Sequence, residues 1–201
     1  AALGCRFATA YRGLTNRAAL QPNQTIAIFG CGGVGLSALL IAKALGAKTI
    51  CIDINDATLQ KAKELGADYI IYSRANDPVK KILEITHTGA DVAVDALGSE
   101  ITANQSLLSL KRRGKHIQLG LLLTPDGKTP ISMARAIAYE LDLLGSHGMA
   151  AVDYPEMLKL ITQGKLKPQD LITKTVPLES GPELLKNLDQ QPATGVVILN
   201  P

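Results

Sequence analysis

Cysteine is scarce in this chain of 201 residues, with only Cys5, Cys31 and Cys51. They are odd in number, widely spaced and free of any Cys-x-x-Cys. That excludes a disulfide scaffold and fits a reducing cytoplasm. Histidine is as rare: His87, His116 and His147 form no His-Glu-x-x-His, and none pairs with a cysteine at ligand spacing. Serine-hydrolase chemistry is excluded by the lack of a Gly-x-Ser-x-Gly elbow. Gly127-Lys128-Thr129 has the look of a P-loop's end, but Leu122 stands where the first glycine belongs and Pro130 removes a backbone donor. No run reaches 18 apolar residues, so no transmembrane helix is expected. A signal-peptide pattern is missing too, as is an initiator Met, and a chain opening Ala1-Ala2-Leu3-Gly4-Cys5 reads as a processed or excised piece of something longer.

Charge of one sign is also lacking. Lys and Arg number 21 against 18 Asp and Glu, a net +3, and they are scattered, which argues against a nucleic-acid partner. The one short basic run, Lys111-Arg112-Arg113, reads as the solvated last turn of a helix, where cations suit the dipole. With 46% apolar and 19% charged residues, the composition is that of an ordinary globular domain. The length allows one sizeable α/β domain with about fifty residues to spare.

What is present is a glycine pattern in a specific setting. Residues 25–29 (Thr-Ile-Ala-Ile-Phe) read as a buried strand. They run into Gly30-Cys31-Gly32-Gly33-Val34-Gly35 and then into an apolar helix over 36–45, read as buried between layers. Gly30 permits the tight turn, Gly32 lets backbone approach a pyrophosphate, and Gly35 lets helix pack on strand. The amides and positive dipole end of the helix, opening at Val34, then face the phosphates. The pattern alone is weak. It gains weight from its strand–helix context and from Asp53, which ends the next apolar run 18 residues after Gly35. There a carboxylate can accept both ribose hydroxyls of the adenosine and repel a 2′-phosphate, and no Arg or Lys follows before Lys61. The reading is NAD rather than NADP. Asp53 as a mere helix cap is less apt, because Asn55 and Asp56 already suit that role.

A strand–helix alternation follows. Further strands are expected at 49–54, 69–72, 90–95, 115–119 and 141–145, and helices at 57–65, 78–86, 99–110 and 131–139. Six short apolar strands alternating with helices predict a doubly wound, parallel six-stranded sheet, the Rossmann fold. Residues 1–21 read as a linking helix. Beyond residue 149 the alternation stops: a helix over 154–162, an extended piece over 171–178, a helix over 182–188 and a strand over 195–199 read as a segment returning to another domain. The expected division is therefore 1–21, 22–149 and 150–201.

Four stretches in this order and spacing, Gly4-Cys5-Arg6-Phe7-Ala8-Thr9-Ala10-Tyr11, the glycine loop through Leu36, Asp53 with Lys61-Ala-Lys-Glu-Leu-Gly-Ala67, and Leu144-Gly-Ser-His-Gly148, resemble the zinc-containing alcohol dehydrogenases of the medium-chain dehydrogenase/reductase superfamily. The resemblance covers nearly the whole chain. It implies that Cys5 is the third catalytic zinc ligand and that Thr9 is a catalytic hydroxyl near the nicotinamide. It also implies that Gly30, Gly32, Gly33, Val34 and Gly35 hold the pyrophosphate, Asp53 the adenosine ribose, and backbone at Leu119 and Ser146 the carboxamide. The implied cofactors are NAD and, in the intact enzyme, zinc; the implied substrate is an alcohol or carbonyl compound. A dimer or tetramer through the edge strand near 141–145 is implied as well. The chain departs from the family in lacking the first zinc-binding Cys, its His, the structural-zinc cysteines and an arginine around 194–195. What remains corresponds to the C-terminal, cofactor-binding part. One thiolate does not hold catalytic zinc, so no tightly bound zinc is expected on these residues alone. His147 is expected as a solvated loop residue at the end of the sixth strand, and Cys31 and Cys51 as small packing residues. Two rival functions are a non-catalytic NAD-sensing regulatory domain and a zinc-free, quinone-reductase-like oxidoreductase.

Overall fold

The computed structural model describes residues 3–124, 128–187 and 194–201. Helix α1 (Cys5–Arg12) passes into a π-helical turn (Gly13–Arg17). Strand β1 (Thr25–Phe29) leads to α2 (Gly33–Ala44), β2 (Lys48–Asp53), α3 (Asp56–Glu64), β3 (Tyr69–Tyr72) and α4 (Pro78–Thr86). The second half runs β4 (Ala90–Asp95), α5 (Glu100–Leu108), β5 (Leu110–Gln118), α6 (Met133–Tyr139) and β6 (Asp142–Gly145). All strand pairings are parallel and the order is β3-β2-β1-β4-β5-β6, the doubly wound order expected from the sequence. The order in which strands are added reverses between β1 and β4, where such sheets bind ligands outside the carboxyl ends of the strands.

Alternation along β1 builds the two layers. Ile26 and Ile28 enter one core with Leu36, Leu39 and Ile41 of α2 and with Phe7, Tyr11 and Leu14. Ala27 and Phe29 face the other way, onto Ile50, Ile52, Ile71 and Ile82. Helix α2 is apolar nearly all round because α1 covers the side that the sheet does not. Local chemistry fixes the helix starts. The Asn55 side chain accepts from the amides of Ala57 and Thr58, Asp77 caps α4 ahead of Pro78, and Ser99 with Thr102 forms a capping box on α5.

The tail comprises α7 (Tyr154–Thr162), β7 (Ile172–Pro177), α8 (Gly181–Lys186) and β8 (Val196–Asn200), with β7 and β8 paired parallel as a separate two-stranded sheet. Met157, Leu166 and Leu171 pack into the α1–α2 core. Leu188 of the expected 182–188 helix and Gly127 of the rejected P-loop lie outside the described residues.

One expectation fails. Lys111-Arg112-Arg113 is not the last turn of a helix: α5 ends at Leu108, and the basic run belongs to the start of β5. The β4–β5 register shifts there, Ala90 facing Leu110 but Val92 facing Lys115. The strand takes up the extra residues with Arg113 at φ 60°. Long-range partners hold this bulge. Lys111 pairs with Asp91, Arg113 Nε donates to Glu140 at 2.9 Å, and Arg112 lies over the Tyr139 ring.

Candidate cofactor-binding site

The carboxyl edge of the sheet begins at the glycine loop. Gly30 sits at φ 91° with its amide on the Ile52 carbonyl, 2.8 Å away. A Cβ at Gly35 would overlap the Gly30 carbonyl oxygen, so only glycine lets α2 close onto the turn. Outside Gly32 a Cβ would meet nothing within 4 Å: the loop is open on the side a diphosphate would take. Helix α2 has no side-chain N-cap and no acidic residue in its first turn, which leaves its leading amides for an external anion.

Asp53 stands beside this loop, half-buried. Its Oδ2 accepts the Cys31 amide at 2.6 Å and its Oδ1 the Asn55 amide at 2.8 Å. Each oxygen keeps a further acceptor position, enough for a pair of ribose hydroxyls. The cap of α3 is supplied by Asn55, not Asp53. The adjacent Cys31 and Cys51 are buried. The Cys31 thiol is raised well above its ordinary range by its hydrogen bond to Cys51 and by burial, which makes it inert packing rather than a nucleophile.

The edge continues from the loop to a cleft. Leu97 abuts Gly30, and Gly98 packs on the backbone of Gly120 and Leu121. Beyond β5 and β6 a cleft of about 600 Å³ is lined by Arg12, Arg17, Gln118, Leu119, Ser146 and His147, among others. The Leu119 amide is spent on the Asp95 carbonyl and the Ser146 amide on the Gln118 carbonyl. The Ser146 hydroxyl is buried without a partner among the described residues, a polar atom left for something that fills the cleft. His147 is exposed at the rim, with its carbonyl held by Arg12.

Helix α1 brings its own residues to this edge. Thr9 is buried, and its Oγ1 accepts the Gly148 amide at 3.1 Å, so its proton remains available to donate. Cys5 is exposed, with its Sγ 3.8 Å from the Thr9 hydroxyl. Among the described residues no group of three or more His, Cys, Asp or Glu could hold a metal ion, so Cys5 is one donor where zinc needs three. The residues fit a dinucleotide; they do not by themselves fit zinc.

Several site residues escape a reading of the sequence. Arg12 and Arg17 reach the cleft from the N-terminal helical segment to carbonyls 135 and 128 residues away. Asp95 is fully buried, and its Oδ1 accepts the amides of Leu97 and Gly98 and the Thr102 hydroxyl. Its Oδ2 accepts Gln118 Nε2, which also reaches the Gly120 carbonyl. His116 donates from Nε2 to Gln118 and lies 2.5 Å from the Ser106 hydroxyl through Nδ1. The available signal was the acidic residue closing a buried strand just ahead of Gly98.

Known proteins place this arrangement. Residues 33–163 match the family described as zinc-binding dehydrogenase. An NAD-dependent alcohol dehydrogenase of Sulfurisphaera tokodaii is 35% identical over 206 residues, covering 100% of this chain and 57% of that protein. The solved alcohol dehydrogenase of Aeropyrum pernix superposes with a TM-score of 0.85 at 30% identity, over 100% of this chain and 57% of its own. The benzyl alcohol dehydrogenase of Acinetobacter calcoaceticus gives 0.88 at 28% identity, over 98% and 56%. The chain thus spans a little over half the length of these relatives. With a family match running from the glycine loop through α7, it belongs to the zinc-binding dehydrogenases.

Proposed function

We propose that this chain is the nucleotide-binding part of a zinc-dependent alcohol or polyol dehydrogenase that moves hydride between an alcohol or carbonyl substrate and NAD(H). The observation that carries the reading is the open, uncapped glycine loop with Asp53 beside it. The relatives named NAD-dependent alcohol dehydrogenase support the same class.

NAD supplies the hydride acceptor or donor. The residues of this chain bind and orient it. Amides of Gly32, Gly33, Val34 and Gly35 take the pyrophosphate, with Gly30 setting the turn, and Asp53 takes the adenosine ribose. Backbone at Leu119 and Ser146 is assigned to the carboxamide at the cleft. Thr9, tied to Gly148, offers its hydroxyl proton beside the nicotinamide as the catalytic hydroxyl. Cys5 is assigned as one thiolate ligand of the catalytic zinc of the whole protein, its other ligands coming from outside these residues. We assign 22–149 to the cofactor domain, with 1–21 and 150–201 as the segments joining it to a catalytic domain. No described helix is long and apolar enough to cross a membrane, and the low cysteine content favours the cytoplasm.

Fluorescence titration with NADH and NADPH tests the reading. NADH binds more tightly, and Asp53→Asn weakens it by roughly ten- to hundredfold, the range for losing hydrogen bonds to a charged acceptor. Tighter NADPH binding would refute it.

A further inference from the structure

We propose that Arg6 is a cation for the cofactor's diphosphate, delivered to the glycine loop from helix α1 instead of from the sheet. The inference rests on the NAD reading above and adds a contact that the glycine pattern does not contain. A Cβ built on Gly33, the first residue of α2, would meet Arg6 Cδ at 2.8 Å and Nη1 at 2.9 Å. The guanidinium therefore lies across the opening of that helix. Packing of α1 against α2 puts it there, with Phe7 buried one residue further along as the anchor.

Electrostatics make this placement unusual. The N-terminal end of a helix carries positive potential, and its leading amides are donors like the guanidinium itself. An arginine there has the wrong sign unless an anion lies between the two. No acidic residue stands in the first turn of α2, and Arg6 itself is exposed, with no hydrogen bond or ion pair among the described residues. Arg12, Arg17 and Arg113, by contrast, each find an acceptor. The missing anion has to sit within reach of Arg6 and of the α2 amides, over the open side of Gly32. A diphosphate bound to the loop satisfies both donor sets, and the planar guanidinium can take two of its oxygens side by side.

The experiment compares the wild-type protein with Arg6→Gln and Arg6→Lys by titration with NADH, ADP-ribose and adenosine at several salt concentrations. Arg6→Gln weakens NADH and ADP-ribose by the same factor, roughly tenfold or more. It leaves adenosine, which has no phosphate, unchanged, and it flattens the salt dependence of NADH binding. Arg6→Lys recovers part of the loss. Equal NADH affinity in wild type and Arg6→Gln, or a loss that extends equally to adenosine, would overturn the role of Arg6. Failure of the wild-type protein to bind NADH would instead sink the NAD reading on which it depends.

Discussion

His116 shows how a single buried side chain ties the far half of the sheet to the cleft. Its imidazole is 7% exposed and bonded on both sides, to Ser106 on α5 and to Gln118 at the end of β5. Gln118 passes the connection on to Asp95 and Gly120, so one polar chain sets the backbone at the cleft floor. Burial lowers the affinity of this imidazole for a proton, and the Gln118 hydrogen bond and the Asp95 charge recover only part of it. The folded state therefore takes up the proton at lower pH than the unfolded chain, whose ordinary value is about 6.5. Stability from this residue is complete above that value and is lost as pH falls below it, by at most about 1.4 kcal/mol per pH unit. His116→Leu strands Ser106 and Gln118 and costs roughly 1–3 kcal/mol at pH 7.5. Denaturant melts at pH 7.5 and 5.5 check the sign: the gap between wild type and variant narrows at the lower pH. A gap that widens would contradict it.

At the scale of an element, the strand–turn–helix of β1 and α2 separates folding from binding within five residues. Gly35 is glycine for the fold: a methyl there collides with the Gly30 carbonyl and pushes α2 off β1. Gly32 lies at φ −76° and ψ −164°, comfortable for any residue, and a methyl there meets open space. Gly35→Ala is expected to lose about 1–3 kcal/mol of stability. Gly32→Ala should melt within a degree or two of wild type yet bind NADH roughly ten- to hundredfold more weakly, because the methyl occupies the diphosphate's approach. Thermal melts and NADH titration on the two variants separate the roles. Elements of this kind were legible in the sequence because their signals are local. Asn55, Asp77 and Ser99 cap where they stand, and the alternation of Ile26 and Ile28 with Ala27 and Phe29 declares a strand buried on both faces. The Lys111–Arg113 bulge was not legible. It depends on Asp91, Tyr139 and Glu140, which no short window contains, and on Arg113 adopting a left-handed φ that nothing in its neighbours announces. Arg12 and Arg17 at the cleft escaped for the same reason.

For the molecule as a whole, β6 is the side of the sheet that most calls for a partner. It is only four residues long, and as the last strand of the order it leaves one row of amides and carbonyls unpaired. The segments flanking it in sequence carry apolar residues toward solvent: Leu121, Leu123, Met133 and Ile137 are all at least half exposed. We expect a homo-oligomer, dimer or tetramer, formed by pairing two β6 edges, which continues the sheet across a twofold axis. The alternation of β6 identifies the variant that tests this. The Ser146 amide turns inward to Gln118 of β5, so the amides of Leu144 and Asp142 do too, while that of Leu143 faces out. The Gly145 carbonyl, on the outward parity, is taken by Arg17 instead of β5, in agreement. Leu143→Pro therefore removes no hydrogen bond within the sheet but blocks a strand from adding to its edge. Sedimentation velocity at micromolar concentration should find the wild-type protein as an oligomer and Leu143→Pro as a smaller species. A monomeric wild type, or a variant that sediments unchanged, would move the interface elsewhere.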